Sequence, residues 1–143
     1  MALKRELWIT IFCAVAVLAA VAYLRDPPWL LQVTSGLSKW EAGDDGIRYR
    51  WTRGRASFFV PADASSAILT MRSVRHLPDD WPITATMTID DRPVRVIMFH
   101  DEEWREVRLR MPPPGSRDVA RIDITLDRAR YGRGLQLQQV RWE

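Results

Sequence analysis

The chain has 143 residues, a formal charge of +3 from 21 basic and 18 acidic residues, and a single cysteine. One cysteine excludes an internal disulfide, and 19 arginines interspersed with Asp and Glu argue against the clustered basic face that nucleic-acid binding needs. The length suits one domain with a core of its own, behind an unusually apolar N-terminal segment.

That segment is Leu7 to Leu24, 18 residues without a charge, preceded by Lys4 and Arg5. It is long enough to cross a bilayer as a helix, which satisfies its own backbone hydrogen bonds. Thr10 is its one clearly polar side chain, and a threonine hydroxyl can bond back to a backbone carbonyl. Trp8 and Tyr23 lie near its ends, where amphipathic rings prefer the headgroup region. Lys4 and Arg5 on one flank against Arg25 on the other favour an N-terminus in the cytoplasm and a C-terminal domain outside the cytoplasmic membrane, periplasmic or extracellular. Ala20-Val21-Ala22 also fits a signal-peptidase site, so a cleaved signal peptide is the alternative; both export the domain. A buried core helix is the third reading. Cys13 lies inside the apolar run and lacks the small residues that precede a lipoprotein cysteine. The expected organisation is an anchor or signal over 1–25, a juxtamembrane linker or first strand over 26–35, and a β domain over 36–143.

Asp26-Pro27-Pro28 ends the helix, since proline cannot continue it and disfavours helix in the residue before it. From there the apolar period is two. Ile83, Ala85, Met87 and Ile89 alternate with Thr84, Thr86 and Thr88, the pattern of a half-buried strand. Ile122, Ile124 and Leu126 repeat it, as do Val107, Leu109 and Met111, and Ile47, Tyr49 and Trp51. Shorter expected strands are Leu30–Val33, Ala56–Val60, Ala67–Arg72, Val94–His100 and Leu135–Trp142, the last with a bulge near Gln138-Gln139 where the apolar parity shifts. Turns are expected at Asp44-Asp45-Gly46, Arg53-Gly54, Pro61-Ala62-Asp63, Pro78-Asp79-Asp80, Asp90-Asp91-Arg92-Pro93, Pro112 to Gly115 and Gly132 to Gly134. The fold class is mainly β: an antiparallel β-sandwich, a jelly roll of about eight or nine strands, preceded by one transmembrane helix.

No catalytic motif stands out, and the expectation is a non-enzyme. His76 and His100, without a cysteine beside them, fall short of a zinc site. The pairs Asp44-Asp45, Asp79-Asp80 and Asp90-Asp91 sit where turns favour Asp; a structural calcium is the alternative, and no other cofactor is expected. Asp101, Glu102 and Glu103 before Trp104 are the residues a glycoside hydrolase would use. Tryptophan is in excess, with five of seven from Trp40 onward. Parity puts Trp51 and Trp142 in the core. Trp81, Trp104 and Tyr131 are the candidates for exposed rings that stack on sugars.

The runs from Gly46 to Pro61, Ala67 to Met71, Trp104 to Leu109 and Gly132 to Val140 resemble small jelly-roll domains similar to carbohydrate-binding modules, which accompany bacterial membrane glycosyltransferases. The resemblance spans residues 36–143 and matches Tyr49, Trp51, Arg133 and Gly134, for which it implies structural roles. It implies a glycan-binding or accessory module in cell-envelope polysaccharide or glycolipid assembly. The expected partners are the bilayer, envelope glycans and a multi-spanning membrane protein such as a glycosyltransferase, with no nucleic acid. The alternative is a structural or protein-interaction subunit whose alanine-rich helix face packs on a membrane partner.

Overall fold

The computed structural model describes residues 2–75 and 77–143. Helix α1 spans Ala2–Arg25. Its 24 residues reach about 36 Å, enough for a hydrocarbon core of about 30 Å. The stretch from Glu6 has a mean hydropathy of 2.5, and none of it is buried against the domain, so it is not a core helix. Phe12 and Leu24 are about three-quarters exposed. The Thr10 hydroxyl donates to the Glu6 carbonyl at 3.0 Å, which keeps the one polar side chain satisfied within the helix.

The expected strand at Leu30–Val33 is instead a 3-10 helix over Pro28–Gln32. Pro27 and Pro28 set the φ values of that turn, and Val33 N–H closes it on the Leu30 carbonyl at 3.0 Å. Ten strands follow among the described residues: β1 Thr34–Leu37, β2 Glu41–Ala42, β3 Arg48–Pro61, β4 Ser66–Ser73, β5 Ile83–Ile89, β6 Arg92–Phe99, β7 Arg105–Arg110, β8 Val119–Leu126, β9 Leu135–Leu137 and β10 Arg141–Trp142. All the pairings are antiparallel.

One sheet runs β1-β3-β8-β5-β6; the other places β4 between β7 and the successive β9 and β10, with the first half of β3 beside β9. Strand β3 belongs to both. Trp51 opposes Gln136 in one sheet while Arg55 opposes Thr125 in the other. The expected turn at Arg53-Gly54 is therefore the place where an unbroken strand folds over from sheet to sheet. Alternate residues of both sheets meet in one core, with Leu69, Met71, Met87, Ile89, Phe99, Ile122, Ile124 and Leu135 all but inaccessible. The period-two pattern of β5 is realised residue by residue, Ile83, Ala85, Met87 and Ile89 buried and the threonines half-buried.

Trp51 is buried as its parity predicts, in a satellite cluster outside the main core. Tyr49 meets it edge-on with ring centroids 5.8 Å apart, Arg133 covers it at 5.2 Å, and its indole N–H donates to Glu41 Oε2 at 3.2 Å. Gly134 donates to the Thr52 carbonyl at 2.7 Å, and a Cβ there would stand 2.1 Å from Leu126. Of the four residues matched by the resemblance, Tyr49, Trp51 and Gly134 are buried and Arg133 lies exposed over the Trp51 ring.

The C-terminal end of α1 is tied to the sandwich. Arg117 Nε pairs with Asp26 Oδ1 at 3.0 Å, Arg117 also donates to the Arg25 carbonyl, Asp118 N–H donates to Asp26 Oδ2 at 3.4 Å, and Arg25 donates to the Ser116 hydroxyl at 2.6 Å. The Asp26 side chain is 7% exposed while that of Arg117 is half exposed, so the pair is a partly screened contact at the domain surface. Arg117→Ala is expected to remove about 1 kcal/mol of restraint on the helix–domain angle. Spin labels on α1 and β8 then report a broadened distance distribution with an unchanged melting temperature; an unchanged distribution would show that the junction does not set the angle.

Candidate functional site

The junction defines two ends. β8 starts at Val119, beside the residues that hold Asp26, and runs about 26 Å to Leu126. The three predicted stacking residues lie in loops at the far end. Trp81 precedes β5, Trp104 precedes β7, and Tyr131 lies between β8 and β9. Tyr131 is 87% exposed because it forms a tight turn with Gly132, both at positive φ, closed by Arg130 and Arg133 hydrogen bonds of 3.1 and 2.9 Å. Trp81 and Trp104 are only half-buried, with the indole nitrogens enclosed. Their faces are occupied: Arg75 lies over Trp81 at 5.4 Å and Arg72 over Trp104 at 4.5 Å. The distal cleft of about 400 Å³ is lined by Asp79, Asp80, Asp127, Arg128 and Arg130, without any of the three aromatics. The fold brings the trio to one end without assembling a common surface from it.

The acidic candidates are absorbed by structure. Asp45 accepts from the Ile47 N–H at 2.9 Å, and Asp80 from the Leu77 N–H at 2.6 Å and from Arg130 at 3.2 Å. Asp90 and Asp91, both at positive φ, form the β5–β6 hairpin turn; Asp90 Oδ1 accepts from the Arg121 N–H and Asp91 pairs with the Arg121 guanidinium. These are turn roles, as the sequence predicts. Among the described residues no group of three or more His, Cys, Asp and Glu is arranged to hold a metal ion; His76 lies outside them. Desolvation opposes ionisation of Asp101, but the Glu103 N–H, Arg105 and His100 outweigh it and hold its carboxyl below the usual range. That is the opposite of the upward shift a glycosidic general acid requires.

A larger groove lies elsewhere. It has a volume of about 680 Å³, and Trp40, Arg48, Arg50, Gln139, Arg141 and Trp142 supply its aromatic and polar lining. Leu31, Leu37, Phe58, Leu137 and Val140 supply apolar walls. Here one sequence expectation is corrected. Trp142 opposes Ala67, which faces the core, so the ring is on the inner face as its parity requires. It is nonetheless 45% exposed and lines the groove. The irregular stretch at residues 138–140 between β9 and β10, where the bulge is expected, delivers it there; Gln138 N–H reaches the Thr70 carbonyl and Val140 packs on the core. No guanidinium lies over Trp142 among the described residues.

Trp40, 42% exposed, forms the facing wall. Arg48 and Arg50, two residues apart on β3, approach its ring at 5.4 and 5.6 Å. Arg50 is further fixed by bonds to the Ser38 carbonyl at 2.6 Å and the Thr34 hydroxyl at 3.1 Å. The groove thus offers an open indole face, a second indole braced by cations, and amide and guanidinium donors. Its signal in the sequence was the alternation of Arg48 and Arg50 opposite Trp40, which only the pairing of β2 with β3 brings into register.

No family model matches the sequence, and no curated protein matches it. Among solved structures the sandwich is similar to the salicylyl-acyltransferase SsfX3 of a tetracycline biosynthetic pathway, at TM-score 0.51 and 13% identity over 78% of this chain and 36% of that one. It is similar to the CBM51-2 and INT domains of Clostridium perfringens ZmpB in a complex with GlcNAc, at TM-score 0.46 and 9% identity over 72% of this chain and 24% of that one. It is also similar to a family 43 arabinoxylan arabinofuranohydrolase of Bacillus subtilis, at TM-score 0.40 and 12% identity over 77% and 24%. The chain spans about a third or less of these proteins. The first likeness concerns the β-sandwich fold alone, and at their lower scores the other two carry no weight.

Proposed function

We propose that this protein is a non-catalytic saccharide-binding module, held at the extracytoplasmic face of the membrane by α1 and serving cell-envelope polysaccharide or glycolipid assembly. The observation that carries the proposal is Trp142: a large inner-face ring left open in a groove that also holds Trp40, three arginines and two glutamines. An indole face stacks on the C–H face of a sugar ring, and the amides and guanidiniums bond its hydroxyls. Calorimetric titration of the full chain with envelope oligosaccharides tests it. Trp142→Ala is expected to weaken binding about tenfold or more, the worth of one stacked ring, with little change in melting temperature because β10 has two residues and the ring is 45% exposed. No heat of binding at millimolar sugar would remove the proposal.

A second reading, an interaction subunit, is favoured by β6. Among the described residues it pairs only with β5, leaving a strand edge open there, and Val94, Val96 and Met98 form an exposed apolar stripe on its outer face. An extended segment of a membrane partner would add to that edge. Val96→Lys would abolish such a complex and leave sugar binding intact.

A further inference from the structure

The groove's chemistry bears on the class of its ligand, on the premise that it is a saccharide site. Arg48, Arg50 and Arg141 line it, and no Asp or Glu does. Arg141 pairs with Glu106 at 2.7 Å, and Arg50 is tied to the backbone and hydroxyl of Ser38 and Thr34. Arg48 has no carboxylate partner among the described residues and lies over Trp40. With Arg141 neutralised by Glu106, Arg48 and Arg50 remain without a carboxylate partner among the described residues, and such a pair favours an anion with oxygens for a guanidinium fork.

The rest of the lining is more apolar than sugar hydroxyls require. Half-buried Leu31, Leu37, Phe59 and Val140 offer apolar surface that can take alkyl carbons, while Phe58 and Leu137, 4% and 2% exposed, belong to the core beside them.

The groove also opens at the anchor end. Leu31 belongs to the 3-10 helix that leaves α1. Trp142 opposes Ala67, next to Ser65 and Ser66, whose N–H groups both donate to the Glu143 carbonyl. A few residues before them, Ala62 donates to the Asp118 carbonyl at 2.9 Å, and Asp118 in turn holds Asp26. Trp29, 53% exposed in the same linker, suits the headgroup layer. The site therefore lies on the side of the domain from which α1 leaves, near the Arg117–Asp26 contact.

We infer that the groove takes its ligand from the bilayer, and that the ligand is a lipid-linked saccharide with a phosphate between lipid and sugar. Trp142 supports the sugar, Arg48 and Arg50 hold the phosphate, and the apolar surface of Leu31, Leu37, Phe59 and Val140 receives the first carbons of the lipid.

The full chain in phosphatidylcholine nanodiscs tests this with four probes: polyprenyl-phosphate glucose, glucosyl diacylglycerol, polyprenyl phosphate and soluble glucose 1-phosphate. The expected result is polyprenyl-phosphate glucose bound at least about tenfold more tightly than each of the others, the worth of one charge-assisted contact set or one stacked ring. Arg48→Gln is expected to remove the advantage over glucosyl diacylglycerol, and Trp142→Ala the advantage over polyprenyl phosphate. Glucose 1-phosphate bound as tightly as the lipid-linked sugar would overturn the bilayer origin while leaving the saccharide site standing. Glucosyl diacylglycerol bound as tightly would overturn the phosphate. Polyprenyl phosphate bound as tightly, or no sugar-bearing probe bound at all, would overturn the inference together with the saccharide reading on which it rests.

Discussion

Gly36→Ala is expected to destabilise the domain by roughly 4 kcal/mol, at the upper end for a single substitution. Gly36 sits in the middle of β1 at a φ of +67°, where a Cβ is strained by about 1–2 kcal/mol on its own. The larger part is steric. That Cβ would stand 1.9 Å from the Arg55 carbonyl oxygen, a backbone atom that cannot move aside without displacing β3. The close approach follows from the fold-over of β3: β1 opposes Ser57 and Phe58 at Ser35 and Thr34, then jumps to Thr52 at Leu37. β1 cuts the inside of the corner, and only glycine permits it. Thr34 and Leu37 also wall the groove, so the substitution is expected to loosen ligand binding along with the fold. Chemical denaturation checks the first effect; a loss under 1 kcal/mol would mean that β1 does not follow this path.

The second large effect belongs to Asp123. It lies on β8, 2% exposed, on the outer face of its sheet. Its carboxylate accepts from the Ser57 hydroxyl, from Arg121 Nε at 3.0 Å and from Arg55 at 3.3 Å. Desolvation by itself would raise its pKa, but Ser57, Arg121 and Arg55 together outweigh that and hold it below the ordinary carboxylate value. Asp123→Asn keeps the shape and removes the charge, leaving Arg55 without its carboxylate and Arg121 with Asp91 alone. The expected loss is about 2–3 kcal/mol, or about 10 °C in melting temperature for a domain of this size. Because the folded pKa is depressed, the carboxylate contributes fully above its unfolded value of about 4, and the contribution fades as pH falls from there through the folded value. Thermal melts from pH 7 to pH 2 should show the wild type converging on the variant in that acid window. Parallel curves would mean that Asp123 is not the group responsible.

How much of this was legible in the sequence depends on how local the cause is. The apolar run of α1 and the alternation in β5 and β8 are written in neighbouring residues, and the structure follows them closely. Strands β1 and β2 carry no such pattern, since Thr34-Ser35-Gly36-Leu37 is extended only because β3 pairs with it. Arg53-Gly54 has turn composition but remains in a strand, because β8 and Gly134 supply partners on either side of the bend. The candidate site shows the same limit. Parity correctly puts Trp142 on the inner face, yet its exposure depends on what packs over it from elsewhere in the chain, which no local pattern encodes. Trp81 and Trp104 read as free rings in polar surroundings, but those surroundings include Arg75 and Arg72, which cover them.

The seven tryptophans provide the most direct measurement of the claim that the groove is the saccharide site. Each indole N–H gives its own cross-peak in a two-dimensional nitrogen–proton spectrum of the full chain in nanodiscs, assignable by single Trp→Phe substitutions. On titration with a binding saccharide, the Trp40 and Trp142 peaks are expected to move together along one binding curve, while Trp81 and Trp104 stay in place. Movement of Trp81 or Trp104 with Trp40 and Trp142 unmoved would put the site at the far end of the sandwich and contradict the groove.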